Sequence, residues 1–486
     1  MKLEPIIGLE IHVQLKTQSK MFCACDNRGE DKAANTTVCP ICLGHPGTLP
    51  APNSEAMAMG VRAALALNLR VNLHSKFDRK SYFYPDLPKG YQISQYDEPL
   101  AGAGGLDILV GERIVKINIE RLHLEEDTAK LLHEHGRTLV DFNRAGTPLI
   151  EIVTNPEIDS PEQAKAFLQE LRLIMRYLDV SEADMEKGHL RCDANISLRP
   201  AGESKLYSKT EIKNLNSFRA VEKALHYEIK RQTELWDKGQ APTNTATRGW
   251  DEKAGVTVEQ REKEAVNDYR YFPEPDIPPI EFTAEQIKDW RNELPELPAA
   301  RRQRLRSDYG IGWPEAKFLT EDKDLGDLVT RIVTALSNEL DGDIKAAAKL
   351  AVNWIVHKLT AILIDQQLTV QNLGISLSQW VSFLLLVARR QVNSTNAQVL
   401  LRRMVETGRD PETIVESENL SQISSEGNDL GEMIAKIIAK YPVQVAQYKA
   451  GKEPVIKFLL GALMRETKGR YDPPAAEAAL RDRLAG

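Results

Sequence analysis

Apolar residues alternate with ionisable ones in several strand-like runs of this chain: Glu10-Ile11-His12, His123-Leu124-Glu125 with Asp127 beyond it, and the single acid Glu151 inside LIEIV. On a strand, residues two apart share a face, so each run aims its ionisable groups one way and its apolar groups the other. Longer runs of the same kind, KINIERLHLEED, GTPLIEIVT and LRCDANISLRP, predict a large mixed or antiparallel sheet. Helical spacing appears elsewhere. EAMAMGVRAALALNL, residues 55 to 69, is rich in helix formers, and Ser160-Pro161-Glu162-Gln163 supplies an N-cap, a first-turn proline and a capping-box glutamine. Phe167, Leu168, Leu171, Ile174, Met175 and Leu178 then recur as one helical face, which marks packing and not chemistry.

A proline-dense stretch, from YFPEPDIPPI to ELPELP, ends this mixed region. Beyond it the pattern is almost wholly helical, with KAAAKLAVNWIVHKL and SQWVSFLLLVARR as amphipathic segments. Gly408-Arg409-Asp410-Pro411 reads as a helix stop and turn. The expected class is α+β: a sheet domain over residues 1–290, a helical domain over 291–407 and a small helical tail over 408–486.

Burying an unpaired carboxylate costs several kcal/mol, so a sheet face carrying several needs a partner. Each run taken alone reads more readily as ion pairs or an exposed strand face than as a metal site. Their recurrence with similar spacing favours a divalent cation, and oxygen ligands with one imidazole suit Mg²⁺ or Mn²⁺. Asp193-Ala194-Asn195-Ile196-Ser197 puts further polar groups on one strand face, compatible with an outer ligand to the same ion. The run from Lys209 to Ser217 reads as a capped turn before a helix.

At 486 residues the chain exceeds one ordinary core, and 42% hydrophobic with 27% charged residues is the composition of a globular protein. No basic apolar leader opens the sequence and the apolar stretches are shorter than a membrane span, so a cytoplasmic location is expected. A formal charge of −7 excludes a uniformly basic nucleic-acid coat but leaves room for a local basic face. Basic clusters occur at Arg301, Arg302, Arg304 and Arg306, at Arg389 and Arg390, at Arg402 and Arg403, and in the tail at Lys452, Lys457, Arg465, Lys468 and Arg470. Taken singly, each reads as a solvated helix face.

Cys23-Ala24-Cys25 and Cys39-Pro40-Ile41-Cys42 form two short-spaced pairs in a chain with one further cysteine, Cys192. Four such thiolates match tetrahedral Zn²⁺ and leave no open coordination position, so this metal is expected to be structural; disulfides are the alternative. Cys192 reads as a core thiol. The stretch from Lys80 to Tyr96 interleaves lysines with aromatics and fits either a nucleotide grip or a rigid turn. Gly102-Ala103-Gly104-Gly105 lacks the Lys-Ser/Thr of a phosphate loop and reads as a turn. No Walker, Rossmann, zincin or nucleophile-elbow pattern is present.

The blocks GLEIHVQLKT, KFDRKSYFYPDLPKGYQISQYD, RLHLEEDTAK, NRAGTPLIEIV, LRCDANISLR, TEIKNLNSF and DYRYFPEPDIPP together resemble the B subunits of glutamyl/aspartyl-tRNA amidotransferases. The tail GKEPVIKFLLGALMRETKGRYDP is similar to that family's C-terminal signature. The resemblance implies a cradle domain holding a kinase site, followed by helical parts that grip misacylated tRNA(Gln) or tRNA(Asn). It implies phosphorylation of the tRNA-bound Glu or Asp side chain by ATP and Mg²⁺. Ammonia then displaces the phosphate, delivered by a partner amidase, the A subunit, with a small C subunit completing a heterotrimer. It further implies a metal site at His12, Glu125 and Glu151, with Glu10 and Asp193 toward a second cation or its water shell. Glu125 is implied to gate or deprotonate ammonium, His12 and Lys89 to face the nucleotide, and Lys80 and Lys89 to hold phosphate or carboxylate. Cys23, Cys25, Cys39 and Cys42 match the zinc-bearing branch of the family. Two other classes fit the acidic strands alone, a stand-alone tRNA-binding protein and a metal-dependent phosphoester hydrolase, and both leave the block similarity unexplained.

Overall fold

The alternation in the first strand is realised residue by residue: Leu9, Ile11 and Val13 are buried on one face, while Glu10, His12 and Gln14 are half-buried on the other. The structure is a computed structural model that describes residues 2–111, 113–260, 268–422, 428–467 and 471–485. The chain divides into two compact units, Met1–Pro298 and Ala299–Gly486. The class is α+β, a sheet-based first unit and a helical second one.

In chain order the first unit contains β1 (Leu3–Gln14), α1 (Ser54–Ala66), β2 (His74–Ser75), β3 (Asp78–Ser81), β4 (Tyr91–Ser94), β5 (Gly104–Val110), β6 (Arg113–Glu126), β7 (Lys130–Glu134), β8 (Arg137–Asp141) and β9 (Pro148–Thr154). There follow α2 (Pro161–Tyr177), β10 (Leu190–Pro200), β11 (Thr210–Leu215), α3 (Phe218–Asp237), β12 (Ala246–Asp251), β13 (Val256–Glu259), β14 (Phe272–Pro273), β15 (Ile280–Glu281) and α4 (Ala284–Asn292). Among the described residues, eight strands form one sheet in the order β13-β12-β11-β10-β1-β9-β6-β5. Its pairings are antiparallel except β11 with β12, so the sheet is mixed.

Helices cover one face of this sheet. Phe167, Leu168 and Leu171 of α2, Val221 and Leu225 of α3, and Val61 and Ala64 of α1 join Ile11, Leu124, Ile150, Ile152 and Ile196 in one core. The α2 start is capped by Ser160, whose side chain accepts from the Gln163 N–H. Gln163 accepts from the Asp159 N–H, one residue before the cap, so the expected reciprocal bond is displaced by one position. The opposite sheet face is polar, and near its centre it is overlaid by a second small sheet in the order β14-β3-β4. Strand β9 and the end of β6 are consequently buried on both faces, carboxylates included.

In the second unit a core built on Trp354, Trp380, Phe383, Leu400 and Leu401 is enclosed by helices between Trp313–Glu321 and Pro411–Ser417. Gly408 adopts φ 64° and ends the helix Ser394–Thr407, and Asp410 with Pro411 starts the next one. That next helix still contributes Ile414 and Val415 to this core. A separate core begins at Leu430 and joins Ile434, Leu459, Leu463 and Leu480. The run Ile344–Gln366 is one continuous 23-residue helix whose middle turns, Val352–Leu359, are a π-helix. Its length and mean hydropathy of 1.4 match a membrane span, but Trp354, Ile355 and Leu359 are spent on the protein core. Arg301 and Arg302 are not a solvated face: both are buried, Arg301 against Asp327.

Candidate active site

Strand register assembles the polar face. His12 of β1 lies directly opposite Glu151 of β9, which lies opposite His123 of β6; on the other flank His12 faces Arg191 of β10. Glu125 follows His123 on the same face, and Glu10 faces Asp193. The imidazoles and carboxylates close into a box. His12 Nε2 is 3.3 Å from Glu125 Oε1 and 3.3 Å from Glu151 Oε2, while His123 Nε2 is 3.6 Å from Glu125 Oε2 and 3.3 Å from Glu151 Oε2.

Burial and pairing compete here, and pairing wins. Burial works to raise the Glu125 and Glu151 carboxyls, but the two histidines hold both well below the usual carboxylate range. Burial alone would lower the imidazoles, yet the same two carboxylates push His12 up to about 10 and His123 up to about 9. Glu10 is raised, first by burial and then by the nearby Glu151, with His12 opposing. His123 Nδ1 is buried with no hydrogen-bond partner among the described residues, where this ring is compensated through Nε2.

The donor set fits a divalent cation. One oxygen or nitrogen from each of Glu10, His12 and Glu151 lies within 4.8 Å of the others, as does one from each of His123, Glu125 and Glu151. Mixed carboxylate and imidazole donors suit Mg²⁺ or Mn²⁺. An ion held there would displace the imidazole protons that otherwise balance the two carboxylates.

Two cavities of about 600 and 970 Å³ meet over this box and share His12, Lys80, Asp193 and Lys213. Burial disfavours the charge on Lys80, but Glu125 and Glu151 keep its ammonium above the ordinary lysine range. Among the described residues that ammonium makes no hydrogen bond or ion pair; it sits 4.9 Å from the centre of the Tyr269 ring. Asp193 accepts from Lys213 Nζ at 2.8 Å, and Lys213 also reaches Glu211 at 3.2 Å. Arg191 donates to Asp127 at 2.8 Å.

The GatB/GatE catalytic domain family matches residues 5–288, a span that contains the whole box, and the GatB domain family matches residues 339–484. The B subunit of the aspartyl/glutamyl-tRNA(Asn/Gln) amidotransferase from Thermomicrobium roseum is 46% identical over 488 residues, with 100% of this chain and 99% of the relative covered. The proteins of the same name from Carboxydothermus hydrogenoformans and Persephonella marina are 44% and 43% identical, each covered to at least 99%. The chain belongs to the family of aspartyl/glutamyl-tRNA(Asn/Gln) amidotransferase B subunits.

Of the residues that resemblance to the amidotransferase B subunits singled out, Glu10, His12, Lys80, Glu125, Glu151 and Asp193 are brought together. Lys89 is not. Its ammonium is bound by Glu126, the residue after Glu125 and on the opposite side of β6, and it lines neither cavity. The Glu126 carboxylate also accepts from the Ile93 N–H at 3.0 Å.

The four cysteines expected to bind zinc converge in a separate place. All are free thiols, and one sulfur from each lies within 4.8 Å of the others, with Cys39 Sγ and Cys42 Sγ 3.9 Å apart. Four sulfurs about 2.3 Å from a central Zn²⁺ sit about 3.8 Å from one another, so the set fits that ion. The Cys39 N–H points at Cys42 Sγ at 3.2 Å, as does the fully buried Lys20 ammonium at 3.8 Å. A bond from Cys23 leads the effects that draw the Cys42 thiol down to about 5, with Lys20 contributing. Gly44, at φ +68°, lets the knuckle approach Lys89: a Cβ there would lie 2.6 Å from Lys89 Cγ.

Sequence reasoning marked His123 beside Glu125 on one strand face but left it out of the ligand set, and it gave no role to Lys213, Arg191, Tyr269 or Tyr271. His123 shares strand parity with Glu125, which was signal enough. The run from Lys209 to Ser217 is not a capped turn: it forms β11, with Ser217 capping α3, and the alternation of Glu211 and Lys213 around Ile212 marks the strand. The stretch from Lys80 to Tyr96 contains β3 and β4, and Gly104 opens β5.

Proposed function

We propose that this chain is the ATP-dependent activating component of a transamidase acting on Glu-tRNA(Gln), Asp-tRNA(Asn) or both. The observation that carries the reading is the box of His12, Glu125, Glu151 and His123 under two cavities, with the Lys80 ammonium in the field of Glu125 and Glu151 but in no direct ion pair among the described residues. In the reaction the side-chain carboxylate oxygen attacks the γ-phosphorus and ADP leaves; ammonia then attacks the acyl carbon and inorganic phosphate leaves. Mg²⁺ held by His12, Glu125 and Glu151, with Glu10 and Asp193 alongside, supplies charge neutralisation of the phosphates. Lys80 holds an anionic oxygen above the box, and before a cation enters, the field of the two histidines keeps Glu125 and Glu151 ionised and ready to bind it. The ligase works in the cytoplasm as a heterotrimer, with an amidase that releases ammonia and a small third chain.

The knuckle serves as a structural zinc site. Tail and helical regions meet the tRNA body through cations that are not already paired. Arg402 and Arg403 are engaged by Asp365 and by Glu406 with Glu418, whereas Arg389, Arg390, Lys452, Lys457 and Arg465 are exposed and have no ion pair among the described residues. Lys468 and Arg470 lie outside the described residues.

The test is amide formation on Glu-tRNA and Asp-tRNA by the chain copurified with its amidase partner, with free ammonia in place of glutamine. The expected result is amide formation that requires ATP and Mg²⁺ and falls on the order of 10³-fold in Glu125→Gln. Binding of tRNA without ATP cleavage overturns the reading in favour of an RNA-binding protein. Phosphate release without charged tRNA favours a hydrolase.

A further inference from the structure

The larger of the two cavities differs from its neighbour in one respect: tyrosines line it. Tyr82, Tyr96, Tyr269 and Tyr271 come from either end of the β3–β4 hairpin and from the segment just before β14. Tyr96 and Tyr271 lie parallel, with ring centres 4.4 Å apart and planes 15° apart, and Tyr96 is 61% exposed. The pair is held from beneath. The Tyr96 N–H donates to buried Asp78 at 3.0 Å, and Arg79 on β3 grips Glu274 with bonds of 2.7 and 2.8 Å, tying the two segments together. Between the two later tyrosines Arg270 adopts φ 44°, a left-handed conformation rare for a side chain of its size. Tyr269 thus turns toward Lys80 while Tyr271 lies on Tyr96.

Exposed aromatic faces fixed in place beside a phosphate-handling site are what stacks unpaired nucleobases. Two bases reach such a centre in the reaction proposed above, that of ATP and that of the terminal nucleoside carrying the amino acid. Charge separates them. Beyond the shared floor, the tyrosine-lined cavity adds Asp86, Asp97, Glu120 and Glu211 against Arg121. A triphosphate is repelled by such walls, whereas a terminal nucleoside brings a single phosphodiester. The other cavity sets Lys187 and Arg191 against Glu186 and Asp127, the latter bonded to Arg191, so its added walls balance in charge where those of the tyrosine-lined cavity are acidic.

We propose that the outer face of Tyr96, backed by Tyr271, stacks the terminal nucleobase of the aminoacylated RNA, leaving the Arg191 side of the site to the nucleoside triphosphate. This assignment rests on the transamidase reading and deepens it.

The test uses the complex with its amidase partner and two fluorescent probes, tRNA bearing 2-aminopurine at its 3′-terminal position and 2-aminopurine riboside triphosphate. The expected result is quenching of the RNA probe by the native complex and by Tyr96→Phe, and loss of that quenching in Tyr96→Ala. The KM for charged tRNA then rises on the order of tenfold in Tyr96→Ala, with the KM for ATP unchanged. Quenching of the triphosphate probe, with a raised KM for ATP, overturns the assignment. So does quenching of neither probe in a complex that makes amide. A native complex that makes no amide refutes the transamidase reading, while RNA-probe quenching lost in Tyr96→Ala still supports the stacking site. Tyr96 is mostly exposed, so its truncation leaves the core intact.

Discussion

The cysteine knuckle and the histidine–carboxylate box are two metal-type sites built on opposite plans. Four soft donors in two short-spaced pairs make the knuckle, closing a coordination sphere with no place for substrate. Three strands as far apart in sequence as β1 and β9 make the box, and its donors stand under open cavities. The first plan spends its binding energy on holding a loop that has few apolar residues of its own. The second holds ionisable groups in a buried face at a cost that mutual pairing offsets. One site is therefore expected to govern stability and the other chemistry.

The largest effect that tests this division comes from Cys39→Ser. Loss of one thiolate should remove zinc from the purified protein and lower the melting temperature by about 10 °C, from a few kcal/mol at about 3 °C per kcal/mol. Protein that stays folded should keep its activity. Lost activity at an unchanged melting temperature and zinc content breaks the comparison.

Next in size is the pH dependence of Mn²⁺ binding to the box, followed by paramagnetic resonance. His12 and His123, raised to about 10 and 9, are protonated at neutral pH in the metal-free box. Metal binding needs neutral imidazole, so each proton displaced makes affinity rise as pH rises, by about tenfold per pH unit per proton up to the pKa of the group. An affinity that is flat between pH 6.5 and about 8.5 contradicts the pairing described.

The smallest effect belongs to the residue between the two regions. Lys89 packs under Gly44 of the knuckle and binds Glu126, next to Glu125 of the box. Lys89→Met keeps the stem and leaves Glu126 its bond from the Ile93 N–H. The melting temperature should fall by about 3–6 °C, from about 1–2 kcal/mol, with Mn²⁺ affinity changed less than about threefold. Mn²⁺ binding lost as fully as in Glu125→Gln would make the knuckle and the box one unit.

The same contrast explains what could be read beforehand. Spacing alone marked the knuckle, because its ligands are neighbours in sequence. Parity on a strand marked the faces of Glu10, His12, Glu125 and Glu151, and the α2 cap and the Gly408 stop were equally local. The meeting of those faces was not local. It depends on β9 pairing with both β1 and β6, which no single run of sequence encodes. Lys89 belongs to the same stretch as Lys80, and the turn between β3 and β4 delivers its ammonium to Glu126, a placement that no local pattern encodes. Tyr269 and Tyr271 belong to DYRYFPEPDIPP, a segment marked by its prolines and by the family resemblance but by no pattern that points to chemistry, and their placement depends on the long-range pairing of β14 with β3.

The position of Glu151 in LIEIV has a consequence for how the molecule can go wrong. Its neighbours Ile150 and Ile152 point into the helix-covered core, so a slip of β9 by one residue exchanges the two faces. A carboxylate then enters the core as an isoleucine enters the box, and Glu151 loses both histidines in the same step. A misregistered molecule is therefore both unstable and without its box. Few chains that have threaded this strand wrongly can persist as folded decoys, because the error that spoils the site also marks the molecule for unfolding.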